Sequence, residues 1–170
     1  MKSWRNALKM CVKGLLLLTL ALPFYACEDD EYAGLTEETK ALRKKYNEQM
    51  VGDWTYEYET DRIKYYSQIN LDKEGNYRET EKVARPHVVG SEGNETTIWE
   101  VEYNETSTGK WYLEYVESSK RNTFNVSKDG MTITRIFYGF RDGQLLMSTA
   151  FTAGQAAYEP GKREPSFSVE

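Results

Sequence analysis

Short runs of alternating apolar and polar residues dominate the chain from residue 51 to residue 152. In the first run, Trp54, Tyr56 and Tyr58 fall on one face and polar residues fall on the other, as in a half-buried strand. Residues that favour turns separate the runs. The pattern predicts strands over eight segments: 51–60, 63–71, 77–83, 97–103, 110–117, 122–127, 131–140 and 144–152.

The connections between these runs are too short to hold a crossover helix. Asp129-Gly130 and Asp142-Gly143 supply the positive φ angles that tight hairpins need. Parallel strands require longer crossovers, so the sheet must be antiparallel. We therefore expect an all-β, antiparallel up-and-down meander of about eight strands that closes into a small barrel. The segment 104–109 is predicted to join two of these strands by a turn.

One helix is predicted ahead of the strands, over about 37–49. Thr36 is a suitable N-cap, and Leu42 and Tyr46 fall on one helical face. An apolar stripe this narrow is typical of a helix that covers one end or face of a sheet. The barrel domain with its leading helix is thus placed at 36–152, and residues 153–170 are expected to form a partly mobile C-terminal tail.

The first 26 residues differ in composition from the rest. Four basic residues and no acidic residue accompany an apolar run of about 13 residues that is rich in Leu. A membrane-spanning helix needs roughly 20 apolar residues, so this run is too short to cross a bilayer. The arrangement is typical of a secretory signal peptide over 1–26.

Composition changes abruptly at Cys27, which follows Ala26 and precedes four consecutive acidic residues. This junction resembles a bacterial lipoprotein signal, in which the Cys is acylated and becomes the mature N-terminus. The resemblance implies that Cys27 is lipidated, that 27–35 is an acidic tether, and that the protein is an outer-membrane lipoprotein exposed at the cell surface. Removal of 1–26 takes the net charge from −5 to −9, so the lipid is expected to provide the membrane attachment.

Four short motifs resemble those of lipocalin-like (calycin) barrels. Gly52-Asp53-Trp54 opens the first predicted strand, like the Gly-x-Trp feature whose Trp packs across the closed end of such barrels. The segments 71–77, 109–111 and 129–134 resemble later strands and hairpins of lipocalin-like bacterial lipoproteins. The resemblance implies an exported barrel that holds a small apolar ligand, with Gly52 and Trp54 plugging one end.

Candidate catalytic chemistry is sparse. His87 is the single His, so a Ser–His–acid arrangement would depend on it alone. Glu100 and Glu102 lie about 6.5–7 Å apart on one strand face, near the carboxylate separation of inverting glycosidases. Trp99 and Val101 take the opposite face, which indicates that the acids face solvent. No enzyme activity, metal or other cofactor is predicted, and a hydrolase ranks third among the functions considered.

Aromatic residues make up 14% of the chain, an unusual share. Trp and Tyr combine an apolar ring with a polar tip, so they suit core edges, ligand walls and interfaces. Trp99, Trp111 and Tyr103 are the predicted ligand-binding residues. Trp99 and Trp111 are expected to be close neighbours on adjacent strands, and Trp99, Val101 and Tyr103 are expected to share one strand face. The alternatives are that the rings fill the core or stack on a sugar.

The sequence therefore favours a non-enzymatic binding module that is held at the membrane by its lipid and takes a small apolar ligand. The alternative is an accessory envelope protein that binds a glycan or a partner protein through exposed aromatic residues. A pI near 5.1 argues against binding to nucleic acid. An apolar cavity would favour the first function, and an exposed aromatic stripe would favour the second. The oligomeric state is left open.

Overall fold

The computed structural model describes residues 32–149 and 154–167. The predicted signal peptide and Cys27 lie outside the described residues. The chain divides after Leu35 into two units. Described residues of the first unit form a turn in which the Leu35 N–H donates to the Tyr32 carbonyl at 3.3 Å. The second unit, from Thr36 onward, holds the helix and the strands.

Eight antiparallel strands, each paired with its neighbours in sequence, close into a barrel through pairing of the last strand with the first. The elements are α1 (Glu37–Met50), β1 (Gly52–Glu59), β2 (Lys64–Leu71), β3 (Asn76–Val89), β4 (Thr96–Val116), β5 (Arg121–Lys128), β6 (Met131–Arg141), β7 (Gln144–Ser148) and β8 (Gln155–Pro160). For residues 32–149 and 154–167, the prediction of an all-β antiparallel barrel preceded by one helix is confirmed, and the architecture is that of a small lipocalin-like barrel.

Helix α1 covers one end of the barrel. The Thr36 side chain caps the helix by accepting the Thr39 N–H at 3.3 Å. The Thr39 hydroxyl oxygen in turn accepts the Tyr115 N–H at 3.2 Å, and the Arg43 Nε donates to the Leu113 carbonyl at 2.8 Å. Tyr115 and Leu113 lie near the end of β4, so these bonds fasten the helix to one end of the barrel, which we call the closed end.

Trp54 packs at the closed end. It is 7% exposed, its indole N–H donates to the Met50 carbonyl at 2.8 Å, and its ring centroid lies 5.6 Å from that of Phe140. Gly52 joins the helix to β1 with a φ of +142°, a conformation that L side chains rarely adopt. Gly52 and Trp54 therefore both lie where the helix meets the barrel.

The segment 104–109 is not a turn. Strand β4 is continuous, and residues 104–109 pair with residues 77–82 of β3. Strand β5 pairs with β4 from Lys110 onward, so the segment has no β5 partner, and most of its side chains are exposed and polar. Trp99 and Trp111 lie on one strand, on opposite sides of this segment. The prediction that they are close neighbours on adjacent strands is wrong.

Strands β3 and β4 extend beyond the rest of the barrel as a two-stranded ribbon. The last β3 residue paired with β2 is Ala84, whereas β3 continues through Pro86 to Val89, beyond the predicted end of the strand at residue 83. Proline is compatible with a strand at such an edge because its missing N–H removes no hydrogen bond there. Val88 and Ile98 on this ribbon are 66% and 44% exposed.

A β-bulge at the base of the ribbon changes which β4 side chains face the barrel. Val83 pairs with Tyr103, but the next β3 residue, Ala84, pairs with Val101. The extra β4 residue shifts the alternation of side chains by one position. Tyr103 therefore lies on the inner face with Val83, whereas Val101 and Trp99 lie on the outer face. The prediction that Trp99, Val101 and Tyr103 share one face is wrong.

The last strand comes from the segment that was expected to be a tail. Strand β7 ends earlier than predicted, and β8 pairs with both β7 and β1. Its Tyr158 is fully buried. The chain then packs against β1 and β2, where the Tyr66 hydroxyl donates to the Arg163 carbonyl at 2.6 Å and the Ser166 N–H donates to Glu57 Oε1 at 2.7 Å. Part of the barrel therefore lies beyond residue 152.

Candidate binding site at the barrel mouth

The interior of the barrel divides into an apolar half and a polar half. Along β2 the inward positions change from Leu71 and Ile69 near the closed end to Ser67 and Tyr65 at the other end. The apolar half contains almost fully buried side chains: Ile69, Leu71, Leu113, Phe124, Phe137, Leu145 and Met147. The polar half lies at the end opposite α1, which we call the mouth.

A buried ion pair occupies the polar half. Glu79 is 2% exposed, and Arg135 donates to it from Nη1 to Oε1 at 3.0 Å and from Nη2 to Oε2 at 2.7 Å. The Ser67 hydroxyl donates to Oε1 at 2.7 Å, and the Tyr77 hydroxyl donates to Oε2. A buried carboxylate is costly unless its charge is paired and its oxygens accept hydrogen bonds. These contacts meet both conditions.

Three buried tyrosines surround the pair. Burial raises the pKa of the hydroxyls of Tyr65, Tyr77 and Tyr158 above the ordinary value for tyrosine. The Tyr65 hydroxyl donates to Glu81 Oε1 at 2.6 Å, and Arg135 Nη1 lies 3.4 Å from the Tyr158 oxygen. Because these hydroxyls keep their protons, they supply hydrogen bonds and do not act as bases.

Glu81 is a second carboxylate on the inner face of β3. It follows Glu79 by two residues, so the two side chains point the same way from positions about 6.5–7 Å apart. Burial raises the pKa of Glu81, and the negative charge of Glu79 raises it further. The hydrogen bond from Tyr65 and the charge of Arg135 act in the opposite direction.

A third carboxylate, Glu105, is paired directly with Glu81 across β3 and β4. Like charges in directly opposite positions destabilise a sheet. Glu105 accepts a hydrogen bond from the Tyr103 hydroxyl at 3.2 Å. In this cluster the three carboxylates of Glu79, Glu81 and Glu105 face one guanidinium, that of Arg135. The mouth therefore favours a ligand that donates hydrogen bonds or carries positive charge.

Exposed apolar residues border the polar cluster. Met131 and Ile133 share the inward face of β6 with Arg135, because side chains alternate along a strand. Met131 is 68% exposed and Ile133 is 51% exposed. Tyr103 adds a partly exposed ring from β4. Apolar walls with a few polar groups in fixed positions are typical of sites for small ligands.

The predicted ligand-binding residues lie in three different places. Trp111 is 8% exposed in the core, and its indole N–H donates to the Asp72 carbonyl at 3.2 Å. Trp99 lies on the outer face at the base of the ribbon, where the Lys64 Nζ is 4.7 Å from its ring centroid. Tyr103 lies at the mouth. The structure does not bring the three rings together.

Sequence reasoning missed the charged residues of the interior. Glu79 and Glu81 alternate on the same strand face as Tyr77 and Val83, which are buried. Charged residues bounded by apolar ones on one face of a predicted strand would have indicated a polar interior. Arg135 likewise lies on the same face of its predicted strand, 131–140, as the apolar residues Ile133 and Phe137.

The earlier candidates for catalysis lie on the exposed ribbon. His87 Nε2 is 3.5 Å from Glu100 Oε2, and Arg85 Nε is 2.7 Å from Glu102 Oε2. His87 lies between the predicted strands 77–83 and 97–103, whereas in the structure it belongs to strand β3. Within residues 32–149 and 154–167, no group of three or more His, Cys, Asp or Glu side chains is placed to hold a metal ion.

Comparison of the chain with protein-family models, with curated proteins and with solved structures finds no match in any of the three. The fold of the described residues is a small lipocalin-like antiparallel barrel with one helix. In the part of the chain that the structure describes, no helix is both long enough and apolar enough to span a bilayer.

The free energy of unfolding should depend on pH through Glu81. The pKa of Glu81 is raised in the folded state, so the folded protein binds this proton more tightly than the unfolded chain does. The resulting stabilisation is complete below the ordinary value of 4.5 and is lost as the pH rises through the folded-state value. Glu81→Gln removes this dependence. The free energy of unfolding of the variant, relative to that of the wild type, should therefore rise as the pH is raised from about 4 to about 7.

Urea denaturation at both pH values measures this change. Glu92→Gln, at an exposed position in the turn of the ribbon, is the matched control and should leave the pH dependence unaltered. If the stability difference between Glu81→Gln and the wild type is the same at both pH values, the raised pKa does not belong to Glu81.

Proposed function

We propose that the protein is a non-enzymatic binding module, an envelope-anchored lipoprotein whose lipocalin-like domain takes a small amphipathic ligand at the barrel mouth. The observation that carries the proposal is the polar cluster of Glu79, Glu81 and Arg135 beside the exposed apolar side chains of Met131 and Ile133. The ligand expected from the sequence was apolar. The charges at the mouth favour one that also has a polar head group.

The head group is assigned to Glu81. The oxygens of Glu79 already accept hydrogen bonds from Arg135, Ser67 and Tyr77. Glu81 Oε1 accepts a hydrogen bond from Tyr65, and a carboxylate has capacity for further donors on its second oxygen. A protonated amine or another hydrogen-bond donor near Glu81 would also reduce its repulsion with Glu105.

The apolar part of the ligand is assigned to the rim. Met131, Ile133 and Tyr103 lie on the inner faces of β6 and β4, and each is exposed. Covering apolar side chains removes their surface from water, at roughly 25 cal/mol per Å². The apolar side chains of the closed end are already packed against one another, so the apolar part of the ligand would bind at the mouth.

A second candidate is an accessory protein that binds an envelope partner. It is favoured by the ribbon, on which Val88, Val89 and Ile98 are 66%, 42% and 44% exposed. The two functions use different residues, so they can be separated by matched substitutions at Ile133 and Ile98.

Competition for a neutral fluorescent dye, N-phenyl-1-naphthylamine, tests binding at the mouth. Decylamine, which is protonated near pH 7, and decanoate have the same chain and opposite charge. Decylamine should displace the dye at a concentration about tenfold lower, equivalent to roughly 1.4 kcal/mol. Ile133→Ser should weaken dye binding, because it removes apolar surface from the rim, whereas Ile98→Ser should not.

Two results would contradict this proposal. Equal displacement by the amine and the carboxylate would remove the role of the acidic cluster. An equal loss of dye binding in Ile98→Ser and Ile133→Ser, or a loss in Ile98→Ser alone, would transfer the apolar contact to the ribbon.

The membrane attachment is proposed at Cys27, on the resemblance of its surroundings to a lipoprotein signal. The chain enters the barrel unit at Thr36, and α1 lies at the closed end. A lipid at Cys27 would therefore be joined to the barrel unit through Thr36.

Cys27→Ala should move the protein from the membrane fraction to the soluble fraction and leave its circular dichroism spectrum unchanged. Several acyl chains on one protein make a lasting membrane anchor. Removal of the acylated residue is therefore expected to abolish sedimentation with membranes. Persistent sedimentation of the variant, together with a wild-type mass that includes no acyl chain, would refute the lipid anchor.

A further inference from the structure

Strand β4 has a long edge with no strand beside it. Strand β3 pairs with one side of β4 from its first residue, whereas β5 pairs with the other side only from Lys110 onward. The hairpin of β5 and β6 turns back at this level, since Ser127 pairs with Lys110 and Lys128 pairs with Met131. Among the residues that the structure describes, no strand therefore lies along the second side of 96–109, which we call the open side.

The backbone groups of β4 alternate between its two sides, as in any antiparallel strand. The Trp111 N–H donates to the Gly75 carbonyl at 2.8 Å, on the β3 side. Lys110 therefore faces β5, which agrees with its pairing to that strand. The register against β3 is regular below the bulge, so the same alternation directs the N–H and C=O groups of Asn104 and Thr106 to the open side.

The backbone on the open side is accessible. In the described part of the chain, none of the backbone hydrogen bonds formed outside the helix and the strand ladders involves Asn104 or Thr106. Both residues are exposed, and so is Glu105 between them. An exposed strand edge of this kind can accept an extended segment of another chain as a further strand.

The side chain between these two backbone positions is acidic. Glu105 lies on the inner face, with Glu81 of β3 on one side of it and the open side on the other. A residue added opposite Glu105 would belong to a pair without hydrogen bonds, in which side chains come closest. A Lys or Arg there would offset the repulsion between Glu105 and Glu81. On the outer face Asn104 and Thr106 are neutral, and Lys82 lies behind Asn104 on β3.

Charge decides between a second copy of this chain and a partner of different composition. Residues 96–109 include Glu100, Glu102 and Glu105 and no Lys, Arg or His. Two copies that paired through this edge would bring two acidic strands together, and like charges across a sheet are destabilising. A basic segment is attracted to the same edge.

We propose that the open side of β4, centred on Glu105, binds an extended segment of a partner protein that carries a Lys or Arg. The segment adds antiparallel to β4 and exchanges backbone hydrogen bonds with Asn104 and Thr106. Its basic side chain lies beside Glu105. This interaction uses the strand edge and does not require the small ligand proposed for Met131 and Ile133.

Amide hydrogen exchange, followed by ¹⁵N–¹H NMR, tests the open edge in the free protein. The amides of Glu105 and Ser107 face β3, with which both residues are paired. The amides of Asn104 and Thr106 should exchange at least about tenfold faster than these two, because they lack a ladder partner.

A capped peptide of sequence Thr-Val-Thr-Lys-Thr-Val-Thr is the binding probe. It should slow exchange at Asn104 and Thr106, and it should bind at least about fivefold more tightly than the same peptide with Glu in place of Lys. N-methylation of the two Thr residues that flank the Lys should abolish binding, because their N–H groups face β4, whereas N-methylation of the Lys should not. Glu105→Gln should weaken binding, while Glu92→Gln, the same change at an exposed turn position, should not.

The proposal is overturned if the Asn104 and Thr106 amides exchange as slowly as their neighbours, or if the Lys peptide does not protect them at millimolar concentration. It is also overturned if the Glu peptide binds equally well, if the two N-methylated peptides bind alike, or if Glu105→Gln binds like the wild type. Protection of these amides in a dimer of the protein alone would assign the edge to a second copy of the chain.

Discussion

The ion pair between Glu79 and Arg135 is the constraint on which the interior of this barrel depends. A charge removed from water is costly unless an opposite charge and enough hydrogen bonds compensate for it. Glu79 is 2% exposed, and Arg135, Ser67 and Tyr77 supply that compensation. Tyr158, fully buried beside Arg135, completes the surroundings. The polar half of the barrel is therefore organised around one carboxylate.

This arrangement bears on where the proposed ligand would bind. Next to the closed end, apolar side chains such as Phe124 and Met147 are fully buried and pack against one another. At the mouth, Glu81 and Glu105 oppose each other across the sheet without a basic residue of their own among the contacts described. Such a pair destabilises the sheet, and the proposed ligand would relieve the repulsion. The proposed ligand would also cover the exposed side chain of Ile133.

The sequence predicts the barrel because alternation and turn residues are local signals. Asp129-Gly130 and Asp142-Gly143 mark hairpins that the structure contains, with positive φ at both Asp residues. The segment 104–109 was predicted to be a turn because its residues are polar, but a strand segment that has no β5 partner and is exposed to solvent has the same composition.

The candidate site was less predictable than the fold. The bulge that places Val101 and Tyr103 on opposite faces depends on pairing with β3, which residue type does not reveal. Trp111 was assigned to a ligand because aromatic rings suit both cores and binding sites, and its burial places it in the core. Glu79 and Arg135 are far apart in sequence, so their pairing follows only from closure of the barrel.

A double-mutant cycle on Glu79 and Arg135, measured by urea denaturation, tests the central claim most directly. Glu79→Gln and Arg135→Met should each lower the free energy of unfolding by about 3–5 kcal/mol, because each leaves a buried group without its partner. The double variant should lose far less than the sum of the two. Single losses below about 1 kcal/mol that add within about 0.5 kcal/mol would contradict the account.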